Sequence, residues 1–467
     1  MTQERKGMDL KFSKLEAFIF EKLSDAKMPG LTIALIRGDE ILWKRGFGFR
    51  DLSYGLAATP HTLFSIASVT KSFTCIAIMQ LAEQGKLTVD DPIDAYIPFR
   101  LKTEREPVKI WHLMSHSSGI PALAYAESVI RSAIGAGEHW LPIGNTSDML
   151  TFMEEAGDWA ISRPGERFFY LNEGYVLLGA IVEKCSGMPY PAYVREHILK
   201  PLGMERSFFE KDDVESDQDV GTPYIITRDG ERKASVYPFG GISSDGGMIS
   251  NVVDLAKYVS MFLGWGEYAE ARVLSRESVE SMQVSRVRTP TESPFGDVGY
   301  GFGLGVVPDF FGRKLIAHSG NVGVATAYIG FVPEENDGIA LLANGEGYPM
   351  SNFGMYGLAL LMGEDPEKLP FVSRERALTE IEGIYETYKG TMKAQVKKRG
   401  DFLMMEIKDK YTDVIVTLVP SKLGKNLRTF YTLDNSNRLL VEFRVRKDET
   451  SMLYERYYMK KTSPLPD

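Results

Sequence analysis

Residues 64–85 read FSIASVTKSFTCIAIMQLAEQG, an apolar-periodic run that stops at Gly85, where a helix C-cap glycine belongs. Ser68-Val69-Thr70-Lys71 stands at its start. If the run is a helix, Ser68 opens it and Lys71, three positions on, shares its face, so hydroxyl and amine are neighbours. A serine hydroxyl is a poor nucleophile by itself and needs an adjacent base, which a lysine amine can supply. The helix N-terminus adds backbone N–H groups and the positive end of a dipole, both suited to an oxyanion formed when a carbonyl is attacked. The plain alternative is an N-cap serine with a solvated lysine. A second S-x-x-K, Ser24-Asp25-Ala26-Lys27, ends a predicted helix with no apolar helix to position it, so Ser68 is the candidate nucleophile.

Around this segment, 467 residues suffice for two or three domains with large cores. A net charge of −9 offers no electrostatic grip on nucleic acid or an anionic membrane. Cys75 and Cys185 are the only cysteines; a disulfide between them is possible but unneeded, and neither lies in a metal or redox spacing. The opening MTQERKGMDLKF has no apolar core of a secretory signal, and no run reaches membrane-span length, so the cytoplasm is the expected setting. Nothing calls for a metal or an organic cofactor.

Residues 8–25 read as an amphipathic helix. LTIALIR (31–37) and ILWKRGFGF (41–49) flank the turn former Gly38-Asp39-Glu40 and predict an antiparallel hairpin. The middle of the chain, to about residue 270, is mostly helical. His112 and His116 there are four apart, half a metal site on a helix, but no third ligand is in view. Arg163-Pro164-Gly165 leads into Tyr170-Leu171-Asn172 and a helix-like run. The plain reading of Tyr170 is a packing residue at a turn; the sharper one is a phenol beside Ser68 and Lys71 that relays a proton. Residues 300–345 return to strands, which predicts a sheet closed by the first and last segments. The charged, proline-containing stretch 366–377 reads as a linker between a domain at 8–365 and a small antiparallel barrel at 378–467. In that barrel Leu440, Phe443, Tyr454, Tyr457 and Tyr458 lie among charges and are expected to supply interface surface; filling the interior is the alternative.

Ser68-Val69-Thr70-Lys71, Tyr170-Leu171-Asn172 and His318-Ser319-Gly320, in that order, resemble the three active-site motifs of the penicillin-recognising serine hydrolases, which include β-lactamases and D,D-peptidases. The likeness is greatest to the CubicO branch, and LTVDDPIDAYIP, HLMSHSSGIP, GGISSDGGMISNVVDLAKY and YGFGLGV carry it further. With the carboxy-terminal barrel, the chain resembles the archaeal self-compartmentalising CubicO peptidases, whose lipocalin-like domain helps build a closed oligomer. The resemblance implies an α/β (α+β) domain, an antiparallel sheet with flanking helices and an all-helical lobe, followed by a lipocalin-like β-barrel. It implies a serine peptidase acting on short peptides, D-residue-containing ones among them, and a homo-oligomer. One departure matters: His318 stands where β-lactamases carry a lysine, so a fixed ammonium becomes an imidazole and β-lactam turnover is in doubt.

By the same resemblance, Ser68 is acylated while Lys71 and Tyr170 share its proton. The N–H groups of Ser68 and Asn321 form the oxyanion hole, Asn172 orients the substrate amide, and His318 and Gly320 line the binding edge. A carboxylesterase or amidase would use the same residues. A non-catalytic binding protein on this scaffold is the rival from another class, and the intact serine, lysine, tyrosine and asparagine oppose it.

Overall fold

The computed structural model describes residues 3–465 except 99–100, 104–105, 137–143, 241, 409–410 and 412. Two compact units divide the chain between Glu364 and Asp365. In the first, α1 (Gln3–Asp25) precedes the expected hairpin of β1 (Gly30–Arg37) and β2 (Glu40–Asp51). Arg37 pairs with Glu40 across a two-residue turn, where Gly38 takes a φ of 59° that a side chain would oppose.

β1 also pairs antiparallel with Asp337–Ala343, so the first and last strands of the unit meet inside one sheet. That sheet has nine strands, running from Val287–Arg288 at one edge to Leu56–Ala57 at the other. Thr326–Val332 and Asp337–Ala343 are buried along their whole length, which is why they read as continuous apolar runs rather than alternating ones. Successive side chains leave a strand on opposite faces, and each face here carries its own helix. A Cβ on Gly338 would come within 2.4 Å of Val259 on the helix Val252–Leu263. The next residue, Ile339, faces the helix Met350–Met362, where a Cβ on Gly357 would come within 2.7 Å of its side chain. The helical lobe is built around α2 (Thr70–Glu83), in which every residue from Thr70 to Leu81 is buried. Gly85 follows with φ 69°, the C-terminal glycine expected there.

The second unit is a closed antiparallel barrel of eight strands, from Gly383–Glu386 to Tyr457–Ser463, with Ile384 paired to Ser463 at the closure. The last two strands, Thr450–Tyr454 and Tyr457–Ser463, are joined by a tight turn in which Glu455 has φ 52°. The stretch 366–377, expected as a linker, instead holds a 3-10 turn, Pro366–Lys368, and most of a helix, Pro370–Glu380. Pro370 starts that helix, where the missing N–H is no loss, and Leu378 together with Ile381 packs into the barrel core. The Arg428 guanidinium holds the helix end by the Ala377 carbonyl at 2.7 Å and by the Glu380 carboxylate. The aromatic residues divide: Phe443 is fully buried in the barrel, contrary to the surface role expected of it, and Tyr454 and Tyr457 pack partly against the same core. Leu440 and Tyr458 are exposed. Among the described residues no helix is long and apolar enough to cross a membrane.

Candidate active site

Ser68 sits in a 3-10 turn, Ala67–Val69, that feeds directly into α2. Ala67 has φ 48°, a left-handed conformation that costs a non-glycine residue about 1–3 kcal/mol and persists only where its surroundings enforce it. They do so on both sides. The two-residue bridge Phe64–Ser65 with Ile249–Ser250 anchors the approach, the Ala67 N–H donates to Ser65 Oγ at 3.2 Å, and Thr70 Oγ1 donates to the Ala67 carbonyl at 2.7 Å. The strain is thereby spent on presenting Ser68 at the helix N-terminus.

Lys71 is completely buried. Its Nζ donates to Ser68 Oγ at 3.0 Å and to the Asp245 carbonyl at 2.5 Å, and lies 5.1 Å from the centre of the Tyr170 ring. The i, i+3 spacing thus produces the contact foreseen from it, while the second anchor comes from a residue 174 positions away. The Asp245 carboxyl is itself buried, and desolvation pushes it up to about 7, with the Lys71 charge opposing and Glu173 reinforcing the rise. By contrast the Ser24 to Lys27 copy is exposed at the end of α1.

Tyr170 is held from behind by His116, whose ring stacks on it at 4.0 Å between centroids. His116 accepts the Leu171 N–H on Nδ1 at 3.0 Å, and its own carbonyl accepts the Phe169 N–H at 2.7 Å, so residues 169–171 are strapped along it. Burial first, then the nearby Lys71 charge, holds this imidazole well below its usual pKa and hence neutral. His112, the other half of the imagined metal pair, uses its Nδ1 to accept the Lys109 N–H at 2.9 Å and so caps the short helix Ile110–Met114. Asn172 opens the helix Asn172–Ser186, and its side chain has no hydrogen bond within the described residues.

The opposite wall is the end of the strand Arg313–Asn321. His318 is buried with both ring nitrogens engaged: one contacts the Ser319 carbonyl at 2.7 Å and the other the Tyr300 hydroxyl at 2.7 Å. A carbonyl can only accept, so the ring proton sits on Nδ1 and Tyr300 donates to Nε2. Desolvation, then Lys71, brings its pKa down to about 3, so the group in the β-lactamase lysine's place carries no charge near neutrality. Gly320 lets this strand touch the nucleophile turn: a Cβ there would lie 2.2 Å from the Ile66 carbonyl oxygen.

Between the walls is a cleft of about 440 Å³ lined by Ser68, Tyr170, Asn172, His318, Gly320 and Asn321, so the structure brings these sequence-derived candidates together above Lys71. Tyr300 and Glu127 also line it. They were missed, as were the supporting roles of His116 and Asp245. His116, Asp245 and Tyr300 lie in stretches that carry the family likeness, which was a usable signal; Glu127 had none.

Residues 15–363 match the family model described as Beta-lactamase, and residues 366–460 match one described as the Pab87 octamerisation domain. The solved octameric penicillin-binding protein homologue from Pyrococcus abyssi is 43% identical, with a TM-score of 0.91 over 96% of this chain and all of that one. A penicillin-binding protein from Bacillus halodurans is 25% identical, TM-score 0.60, covering 74% of this chain and 98% of its own. Protein flp of Staphylococcus aureus strain MW2 is 26% identical over 343 residues, 71% of this chain, and the match spans only 62% of that relative's length.

Proposed function

This chain belongs to the β-lactamase family of serine hydrolases, and from that premise we propose that it is a serine peptidase cleaving short peptides, D-residue-containing ones among them, through an acyl-Ser68 intermediate. The observation that supports it most is Lys71 Nζ at 3.0 Å from Ser68 Oγ, under the Tyr170 ring, at the base of an open cleft. In the ammonium form Lys71 donates to Oγ; in the amine form the same contact reverses and the hydroxyl donates to nitrogen. Ser68 Oγ attacks the scissile carbonyl as its proton passes to the Lys71–Tyr170 pair. The negative oxygen is received by the N–H groups of Ser68 and Asn321. Collapse expels the amine, protonated through Tyr170. Water then gives its proton to the same pair and its oxygen to the acyl carbon, releasing acid and free serine. Asn172, with its side-chain amide unspent, orients the substrate amide.

The division into a hydrolase domain, a connecting helix and a barrel, with the barrel serving assembly, is part of the proposal, and the octameric homologue supports a homo-oligomer. Both cysteines are unbridged, in keeping with the cytoplasmic setting we assign. Intact-mass analysis after a fluorophosphonate should show one adduct mapping to Ser68; an adduct at Ser24, or activity without label, would sink the reading. A digest of peptides with L and D residues at each position then defines the substrate, and kcat/KM on matched ester and amide substrates separates peptidase from esterase.

A further inference from the structure

We propose that Glu127 is a specificity-determining residue of this cleft, and that the charged group it selects on a substrate is an ammonium rather than a carboxylate. The proposal rests on the acyl-serine reading and adds the chemical class of the substrate. Glu127 lies in the helix Tyr125–Ala133 of the helical lobe and lines the same cleft as Ser68, Tyr170 and Asn172. It is exposed there, with no ion-pair partner among the described residues. No cationic side chain among the described residues lines the cleft, since Lys71 is wholly buried beneath it and committed to Ser68 Oγ and the Asp245 carbonyl.

The facing wall offers a carboxylate no cation, only neutral donors such as the Ser319 hydroxyl. His318 is neutral, donates its one ring proton to the Ser319 carbonyl and receives the Tyr300 hydroxyl on its other nitrogen, so its imidazole keeps no donor for a substrate anion. An anionic terminus entering the cleft would meet the Glu127 carboxylate with no cation in the lining to offset it. An alkylammonium would meet a carboxylate with no competing cation. Two substrate features present that chemistry: the free α-ammonium of an N-terminal residue and the side chain of a lysine.

The test uses the full-length protein and diphenyl phosphonate probes, in which Ser68 Oγ displaces phenolate from phosphorus and the serine proton leaves with it as phenol. Four probes are compared: an alanine analogue with a free α-ammonium, its N-acetyl and N-succinyl forms, and an N-acetyl lysine analogue. Labelling of Ser68 is followed by intact mass, and the readout is the ratio of rates within each protein variant. For a partly exposed ion pair the wild type should label at least one cationic probe about fivefold faster than the N-acetyl alanine probe, and less so at high salt. Whichever cationic probe gains identifies the source of the ammonium. Glu127→Gln should bring the ratio to about one, and Glu127→Lys should favour the succinyl probe. A wild type without preference for either cation, or a preference unchanged in Glu127→Gln, overturns the proposal. Failure of every probe to modify Ser68 in folded protein would instead refute the acyl-serine reading on which it stands.

Discussion

Gly320→Ala tests whether strand and nucleophile turn work as one rigid unit. The new Cβ would lie 2.2 Å from the Ile66 carbonyl oxygen and 3.0 Å from the Ala67 Cβ. That oxygen cannot swing away, because it accepts the Val69 N–H at 3.1 Å while the Ile66 N–H is bound to the Met248 carbonyl at 3.0 Å. Reaching ordinary contact requires a separation of roughly 1 Å, and misplacement on that scale costs about 100-fold in rate when reacting groups are involved. If the strand moves it carries Asn321 away from the oxyanion; if the turn moves it carries Ser68. Overpacking of this kind also costs about 1–3 kcal/mol of stability. We expect kcat/KM and the rate of Ser68 labelling to fall together by about 100-fold, while circular dichroism shows an intact fold. Labelling at the wild-type rate would refute the reasoning, because the strand and the turn would then have to be free to separate without consequence.

Lys71→Ala and Tyr170→Phe should each lower kcat/KM by about 10²–10⁴-fold, and the double variant should be scarcely worse than either; independent factors that multiply would break the idea of a shared proton. His116→Ala should release Tyr170 and lower kcat about tenfold with KM little changed, and His116→Asn, which keeps an acceptor for the Leu171 N–H, should recover part of the loss. Acid stability follows from the buried imidazoles. The unfolded chain protonates them from about pH 6.5 downward, but folded His112 does so only near 4 and His318 near 3. Their share of stability is therefore intact above pH 6.5 and lost as pH falls toward those values, by at most about 1.4 kcal/mol per pH unit for each. Urea melts between pH 7.5 and 5 should show a shallower loss in His112→Gln, and an unchanged slope would remove His112 from the account. Truncation after Glu364, the boundary of the first compact unit, should lower the oligomeric mass by light scattering while Ser68 still labels; unchanged mass would deny the barrel an assembly role.

What the sequence by itself determined is what short range can encode. The three-residue step from Ser68 to Lys71, the glycine that ends α2 and the hairpin at Gly38 are local geometry; they stand in the structure, with the turn one residue shorter than read because Glu40 already pairs with Arg37. Ordered motifs and their flanks also identified the family. Tertiary structure alone decided the rest, because it depends on which distant residues share a wall. Asp245 reaches Lys71 across 174 positions, His116 meets Leu171 across 55, and Glu127 enters the cleft with nothing in its neighbourhood to announce it. The helix Pro370–Glu380 looked like a linker because its charges and proline conceal the two apolar contacts it makes with the barrel. In the barrel itself, Val441 and Phe443 point inward while Leu440 points out. Alternation along that strand was visible, but which of its two faces lies inside is decided by closure of the barrel, a property no single strand contains.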